Sequence, residues 1–366
     1  LKKMIASIDE SGNVLIHSTT SSKELLSFKI NDGFLKTAFA TKDRALLTLD
    51  KNKINRFNKK ITVDPDKSIS HRAYIIASQC LGVSGISGLN SDDVKSTVNA
   101  LKKLGMLYQI KQGYIYAKSK GKLVGTKIKF SKISVGATEN TIIAACLSKG
   151  KTILKNCAIE PEIKDLTKFL KNAGSKIKWT GKRTVEIEGV KSLKSIKYSI
   201  MSDRIEAGTF LIAGALLGEI KVADVKPEHL ENVINKLRQT DCEIKTTKDT
   251  VSIIPSDNIK PVDITTAVFP GFPTDLQAQW VALMSLANGT SVVTDTVYHD
   301  RFSHIPELAR LGANIRVESN TAFIRGKKSL VAAPVMSTDI RASASLIIAA
   351  LAANGKTELS RVSHIA

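Results

Sequence analysis

Acidic, hydroxyl and basic side chains gather at five places, each just ahead of an apolar stretch. These are Asp66-Lys67-Ser68-Ile69-Ser70-His71-Arg72, Ser134-Val135-Gly136-Ala137-Thr138, Ser202-Asp203-Arg204-Ile205-Glu206, Pro273-Thr274-Asp275-Leu276-Gln277 and Thr338-Asp339-Ile340-Arg341. Ser, Thr and Asp at a helix start accept unpaired N–H groups of the first turn, so capping explains part of the pattern. It does not explain the cations. Lys67, Arg72, Arg204 and Arg341 fall where the helix dipole disfavours positive charge. Helix starts that converge on a cleft holding an anion reconcile the two, because their free N–H groups and the cations then serve one ligand. The chemistry predicted is the binding of phosphate or carboxylate.

The stretches that follow these clusters recur. An apolar segment rich in small residues ends in glycine at Gly82, Gly150, Gly218, Gly289 and Gly355, at spacings of 68, 68, 71 and 66 residues. Each glycine precedes a short strand-like run such as Thr152-Ile153-Leu154. A second, amphipathic helical pattern follows and stops at Gly105, Gly174, Asp241 or Gly312, and then residues alternate as in a β-hairpin. The repeat therefore reads helix, strand, helix, hairpin. Its first helix carries few charges and must be buried nearly all round, which places helices inside and strands outside. The chain ends within a fifth repeat. Residues 1–55 do not fit the period; their short alternating runs read as strands, with Ile5–Lys29 similar to a single propeller blade.

Composition narrows the function. The chain has 366 residues, 54 Lys and Arg against 34 Asp and Glu, and a formal charge of +20. The basic residues are mostly dispersed lysines and only 5% of residues are aromatic, which argues against a nucleic-acid surface. The longest apolar runs are about half what a bilayer requires, so neither a membrane span nor a secretory leader is expected. Cys80, Cys146, Cys157 and Cys242 form no CxxC pair and read as reduced thiols of a cytoplasmic protein, without a zinc site. His71 and His364 are assigned no role.

From about residue 113 to 364 the chain resembles the UDP-N-acetylglucosamine enolpyruvyl transferase family. The resemblance is carried by Lys132-Ile133-Ser134-Val135-Gly136-Ala137-Thr138, Glu160-Pro161-Glu162-Ile163, Asp203-Arg204-Ile205-Glu206-Ala207-Gly208-Thr209-Phe210, Pro270-Gly271-Phe272-Pro273-Thr274-Asp275-Leu276-Gln277, Asp300-Arg301-Phe302, and Arg341-Ala342-Ser343-Ala344-Ser345. Residues of about 53–105 are instead similar to the sister family, enolpyruvylshikimate phosphate synthase. Both imply a mixed α/β (α+β) enolpyruvate transferase fold: two inside-out α/β barrels of three repeats each, closing on substrates between them. Here one repeat of the first barrel is expected to be missing. The expected division is a β-rich appendage over 1–55, an incomplete first barrel over 56–200 and a second barrel over 201–366.

The resemblance implies transfer of the enolpyruvyl group of phosphoenolpyruvate to the 3-hydroxyl of UDP-N-acetylglucosamine, with release of phosphate and no cofactor or metal. It makes Asp275 the base at the attacking hydroxyl. Arg301 and Arg341 would bind the carboxylate and phosphate of phosphoenolpyruvate, Lys67 would add a catalytic point charge at that phosphate, and Arg72 at the first helix start would be a further substrate-binding residue. Lys132, Ile133, Ser134, Val135 and Val297 would line the UDP-sugar pocket. The family's loop bearing a Cys or Asp acid, and the Arg-Pro-rich segment after it, have no counterpart between Arg72 and Gly113. Shikimate-phosphate chemistry and a non-catalytic anion binder therefore stay open as rival readings.

Overall fold

The structure, a computed structural model, describes residues 92–111, 114–119 and 122–362, together with six earlier strands. Those strands are β1 (Met4–Ile8), β2 (Asn13–Ser18), β3 (Glu24–Lys29), β4 (Ala38–Thr41), β5 (Arg44–Asp50) and β6 (Phe57–Thr62). By contacts the chain divides into two compact units. The larger comprises 1–63, 204–267 and 271–366, and the smaller comprises 64–203 with 268–270.

Among the described residues the smaller unit begins with α1 (Asp92–Lys103), followed by the hairpin β7 (Met106–Lys111) and β8 (Tyr114–Ser119). One repeat follows in full: β9 (Lys127–Lys129), α2 (Val135–Cys146), β10 (Lys151–Lys155), α3 (Pro161–Asn172), β11 (Lys176–Gly181) and β12 (Thr184–Glu188). Its four strands form a sheet in the order β11-β12-β10-β9, with β9 parallel to β10 and the other pairs antiparallel. One face of that sheet is solvated, and the other packs with α2 and α3 around Ile142, Leu154, Ile163, Leu166, Leu170 and Ile187, all buried.

In the larger unit the same plan recurs. It runs through α4 (Arg204–Leu217), β13 (Gly218–Ala223), α5 (Glu231–Gln239), β14 (Glu243–Thr246) and β15 (Thr250–Ile254). A second pass gives β16 (Ile264–Thr266), a 3-10 turn over Thr274–Leu276, α6 (Gln277–Met284), β17 (Thr290–Asp295), α7 (Ile305–Arg310), β18 (Asn314–Glu318) and β19 (Thr321–Arg325). The last consists of β20 (Val335–Met336), α8 (Ile340–Ala352) and β21 (Lys356–Ser360). Helices α4, α6 and α8 pack on one another in the centre. Every residue of α6 is buried, which accounts for its apolar and small composition. Trp280 is fully buried there; its indole Nε1 donates to the Val262 carbonyl at 3.2 Å and its ring meets Phe272 edge-on at 5.3 Å. Helices inside and sheets outside is thus the observed arrangement of this unit.

The stop residues have the backbone that the repeat requires. Gly150 ends the turn between α2 and β10 at φ 79°, a left-handed conformation that a Cβ disfavours, and the equivalent Gly218, Gly289 and Gly355 also have positive φ. At the end of the amphipathic helices Gly105, Gly174 and Gly312 do the same, and Asp241 adopts φ 69° where the others have glycine.

The N-terminal strands depart from the expected division at residue 55. Strand β5 pairs antiparallel with β21 and β4 pairs with β5, so the third sheet of the larger unit runs β20-β21-β5-β4. Strand β6 lies parallel to β13 at the edge of the first sheet, β14-β15-β13-β6. Strands β4, β5 and β6 therefore belong to these sheets, whereas β1, β2 and β3 pair only among themselves. The physical reason is that β21 needs an antiparallel neighbour, and the hairpin β4–β5 satisfies its backbone groups. Among the described residues no helix is long and apolar enough to cross a membrane.

Candidate functional site

The described site lies in the larger unit, where the starts of α6 and α8 meet the loop after β17. Pro273 leads into the 3-10 turn that presents Asp275, directly before the wholly buried α6. Asp339 caps α8, its Oδ1 accepting from the Arg341 and Ala342 N–H groups at 2.9 and 3.1 Å, and thereby sets the direction in which Arg341 leaves the helix. Arg301 follows from the turn after β17, its N–H donating to the Tyr298 carbonyl at 3.3 Å.

These elements bring Asp275, Arg301 and Arg341 together. Arg301 Nη1 donates to Asp275 Oδ1 at 2.9 Å, and Arg341 Nε donates to the same oxygen. Asp275 is about one-third exposed and Arg301 one-fifth, so the group is half-sheltered yet open to a ligand. Burial alone would raise the Asp275 carboxyl; the guanidiniums of Arg341 and Arg301 outweigh it and hold the group below the ordinary aspartate value. Two guanidiniums thus converge on one carboxylate oxygen, and planar donors of this kind equally suit an anion with more than one acidic group.

Among the other expected site residues, Val297 is half-buried in the loop between β17 and Arg301. Lys132, Ile133, Ser134 and Val135 sit in the smaller unit at the start of α2. There Ser134 caps the helix, its Oγ accepting from the Ala137 N–H at 3.0 Å, while Lys132 is exposed and Ile133 and Val135 are half-buried. Lys67 and Arg72 lie outside the described residues, as do His71 and Cys80. Arg204 is buried at the first residue of α4. Cys146, Cys157 and Cys242 are buried free thiols, and burial pushes Cys146 up to about 11 and Cys157 up to about 12. Among the described residues no group of three or more His, Cys, Asp or Glu could hold a metal.

Sequence reasoning missed several participants. Thr274 Oγ1 accepts from Arg301 Nη1 at 3.1 Å, and the Tyr298 ring lies 4.1 Å from the Arg301 guanidinium carbon. Asp295 is fully buried at the end of β17, and Ser303 Oγ donates to Asp339 Oδ2 at 3.1 Å. Thr274 lay in plain view inside the Asp275 cluster; the others carry no local signal. Gln277 is buried with neither amide atom hydrogen-bonded among the described residues.

The fold recurs in solved structures. An enolpyruvyl transferase, NikO from Streptomyces tendae, superposes with a TM-score of 0.77 over 88% of this chain and 94% of its own, at 18% identity. EPSP synthase from Acinetobacter baumannii gives 0.64 over 86% and 93%, at 15% identity. The fold is thus that of enolpyruvyl transferases. The sequence profile of EPSP synthase (3-phosphoshikimate 1-carboxyvinyltransferase) matches residues 51–121 and 108–366, and the chain belongs to that family. Within it the chain is 50% identical over 286 residues to UDP-N-acetylglucosamine 1-carboxyvinyltransferase of Pelagibacter ubique, covering 78% of this chain and 69% of that protein. The enzyme of the same name from Bdellovibrio bacteriovorus is 48% identical over 77% of this chain and 68% of its own length.

Proposed function

We propose that the protein transfers the enolpyruvyl group from phosphoenolpyruvate to the 3-hydroxyl of UDP-N-acetylglucosamine in the cytoplasm, releasing phosphate for peptidoglycan precursor synthesis. The observation that carries this reading is the Asp275 carboxylate held by both Arg301 and Arg341. The half-identical relatives named for that reaction support the choice of acceptor.

The geometry suggests an order of events. Without ligand the two guanidiniums keep Asp275 ionised and weakly basic. Phosphoenolpyruvate brings a carboxylate and a phosphate, both of which suit planar bidentate donors. As Arg301 and Arg341 turn to it, Asp275 loses its compensating charge, and its burial then raises its proton affinity. It becomes a base able to take the proton of the acceptor hydroxyl. The hydroxyl oxygen bonds to C2 and a proton adds to C3, giving a phosphate-bearing ketal. Loss of a C3 proton and cleavage of the C2–O bond to phosphorus's oxygen restore the double bond and expel phosphate, and cationic groups stabilise the charge that develops. Lys67, Arg72 and the Lys132–Val135 segment complete the proposed set: Lys67 and Arg72 at the phosphate-bearing substrate, the segment with Val297 at the UDP-sugar.

Phosphate release measured with phosphoenolpyruvate and each acceptor tests the reading. Release is expected with UDP-N-acetylglucosamine and not with shikimate 3-phosphate. The reverse result moves the protein to the shikimate reaction, which the family profile keeps in play. No release with either, together with a ligand-induced rise in melting temperature, would leave a non-catalytic binder.

A further inference from the structure

We infer that Asp295 is a positioning residue that aims Arg301 at the reacting centre by fixing the hydrogen-bond polarity of Thr274 and the path of the Tyr298 backbone. The inference deepens the proposed transferase reading and rests on it for its kinetic consequence.

Asp295 is the last residue of β17, and its carboxylate has no exposed surface. Four donors converge on it. Oδ1 accepts from Thr266 Oγ1 at 2.7 Å, from the Val297 N–H at 2.9 Å and from the Tyr298 N–H at 2.8 Å, while Oδ2 accepts from Thr274 Oγ1 at 2.6 Å. A buried charge with this many partners is satisfied without a counter-ion, and each partner is held in place by a charge-assisted bond. Two of those partners touch Arg301. The Thr274 hydroxyl has one proton, spent on Asp295, so only a lone pair faces Arg301 Nη1, 3.1 Å away. The same Nη1 reaches Asp275 at 2.9 Å. Tyr298, pinned at its backbone by Asp295, sets its ring 4.1 Å from the guanidinium carbon of Arg301. One buried carboxylate thus orients two of the groups that fix the arginine, without touching the arginine itself.

An amide at this position reverses the polarity. Asp295→Asn keeps the shape, but the three donors to Oδ1 leave its NH2 group facing Thr274, which must then accept. The Thr274 proton turns toward Arg301, donor against donor, and the guanidinium is displaced from Asp275. Thr274→Val removes the relay while Asp295 keeps its other partners.

The direct readout is titration of the Asp275 carboxyl by 13C NMR in the ligand-free protein, which needs no turnover. Its midpoint should rise in Thr274→Val, which leaves the Asp295 charge in place, and Thr274→Ser should restore most of the wild-type value. In Asp295→Asn the loss of a neighbouring negative charge works the other way, so the rise there is smaller. If the protein turns over, the KM for phosphoenolpyruvate should rise roughly tenfold in both single variants, with a smaller change in the KM for the nucleotide sugar. An unchanged Asp275 midpoint in Thr274→Val overturns the inference. An inactive wild type whose midpoints nevertheless move as described overturns the transferase reading and leaves the positioning role standing.

Discussion

An aspartate held by two guanidiniums is a weak base, because ionisation is favoured by the very charges that surround it. If substrate anions draw Arg301 and Arg341 away, Asp275 takes up protons more readily in the complex than in the free protein. The acid limb of kcat, which reports the complex, should then lie at higher pH than the acid limb of kcat/KM, which reports the free enzyme. Asp275→Asn should lower kcat by roughly 10²- to 10⁴-fold, the usual worth of a positioned base. It should not weaken phosphoenolpyruvate binding measured by calorimetry, since it frees both arginines; weakened binding would argue that Asp275 organises the site and is not its base. His304, three residues beyond Arg301, makes a separate prediction. It is 1% exposed and stacks on Phe302 at 6.2 Å; burial pushes it down to about 4, against the pull of Asp339. A base whose proton affinity falls on folding leaves stability intact above the unfolded value near 6.5. Below that pH the unfolded chain binds a proton that the native state refuses, so stability declines as pH falls from 6.5 to about 4. The loss attributable to His304 is up to about 3 kcal/mol, and His304→Gln should flatten that part of the pH profile in urea unfolding.

At the scale of elements, the packing of α4 against the turn that carries Asp275 is tight. A Cβ at Gly208 would strike the Leu276 side chain, the residue next to Asp275. Gly208→Ala gains about 1 kcal/mol in helix propensity and loses roughly 1–3 kcal/mol to overpacking. The melting temperature should therefore move by only a few degrees, while displacement of the 3-10 turn lowers kcat well beyond what that stability change explains. Unaltered kcat would mean that the turn yields without moving the carboxylate. The elements themselves were legible because their marks are local. Gly150, Gly218, Gly289 and Gly355 stand at the turns of positive φ where a side chain is strained, and this leaves a period that can be counted. Clustering of Asp275 with Arg301 and Arg341 was legible through the motifs, each of which sits at a helix start or the turn after a strand. What could not be read is pairing at a distance. Asp295 draws its meaning from Thr266 and Thr274, 29 and 21 residues away in sequence, and no propensity marks such a bond.

At the scale of the whole molecule, strand pairing explains why residues 38–50 are not dispensable to the larger unit. Its three sheets share one plan: the strand after the central helix has a parallel neighbour on one side and the inner strand of a hairpin on the other. For β13 and β17 that hairpin follows in sequence, as β14–β15 and β18–β19. For β21 it comes from the other end of the described chain, where β5 pairs with all five residues from Lys356 to Ser360. Removing residues 1–50 strips this partner and leaves a row of unpaired backbone N–H and C=O groups beside the helix that carries Arg341. That deletion should lower the melting temperature and promote association, read by calorimetry and size-exclusion chromatography. Removing residues 1–30 deletes only β1, β2 and β3, which pair with no other strand, and should leave both measurements near those of the full chain. Equal behaviour of the two deletions would mean that β21 does not depend on β5, and the closure of the third sheet by the N-terminal hairpin would have to be abandoned.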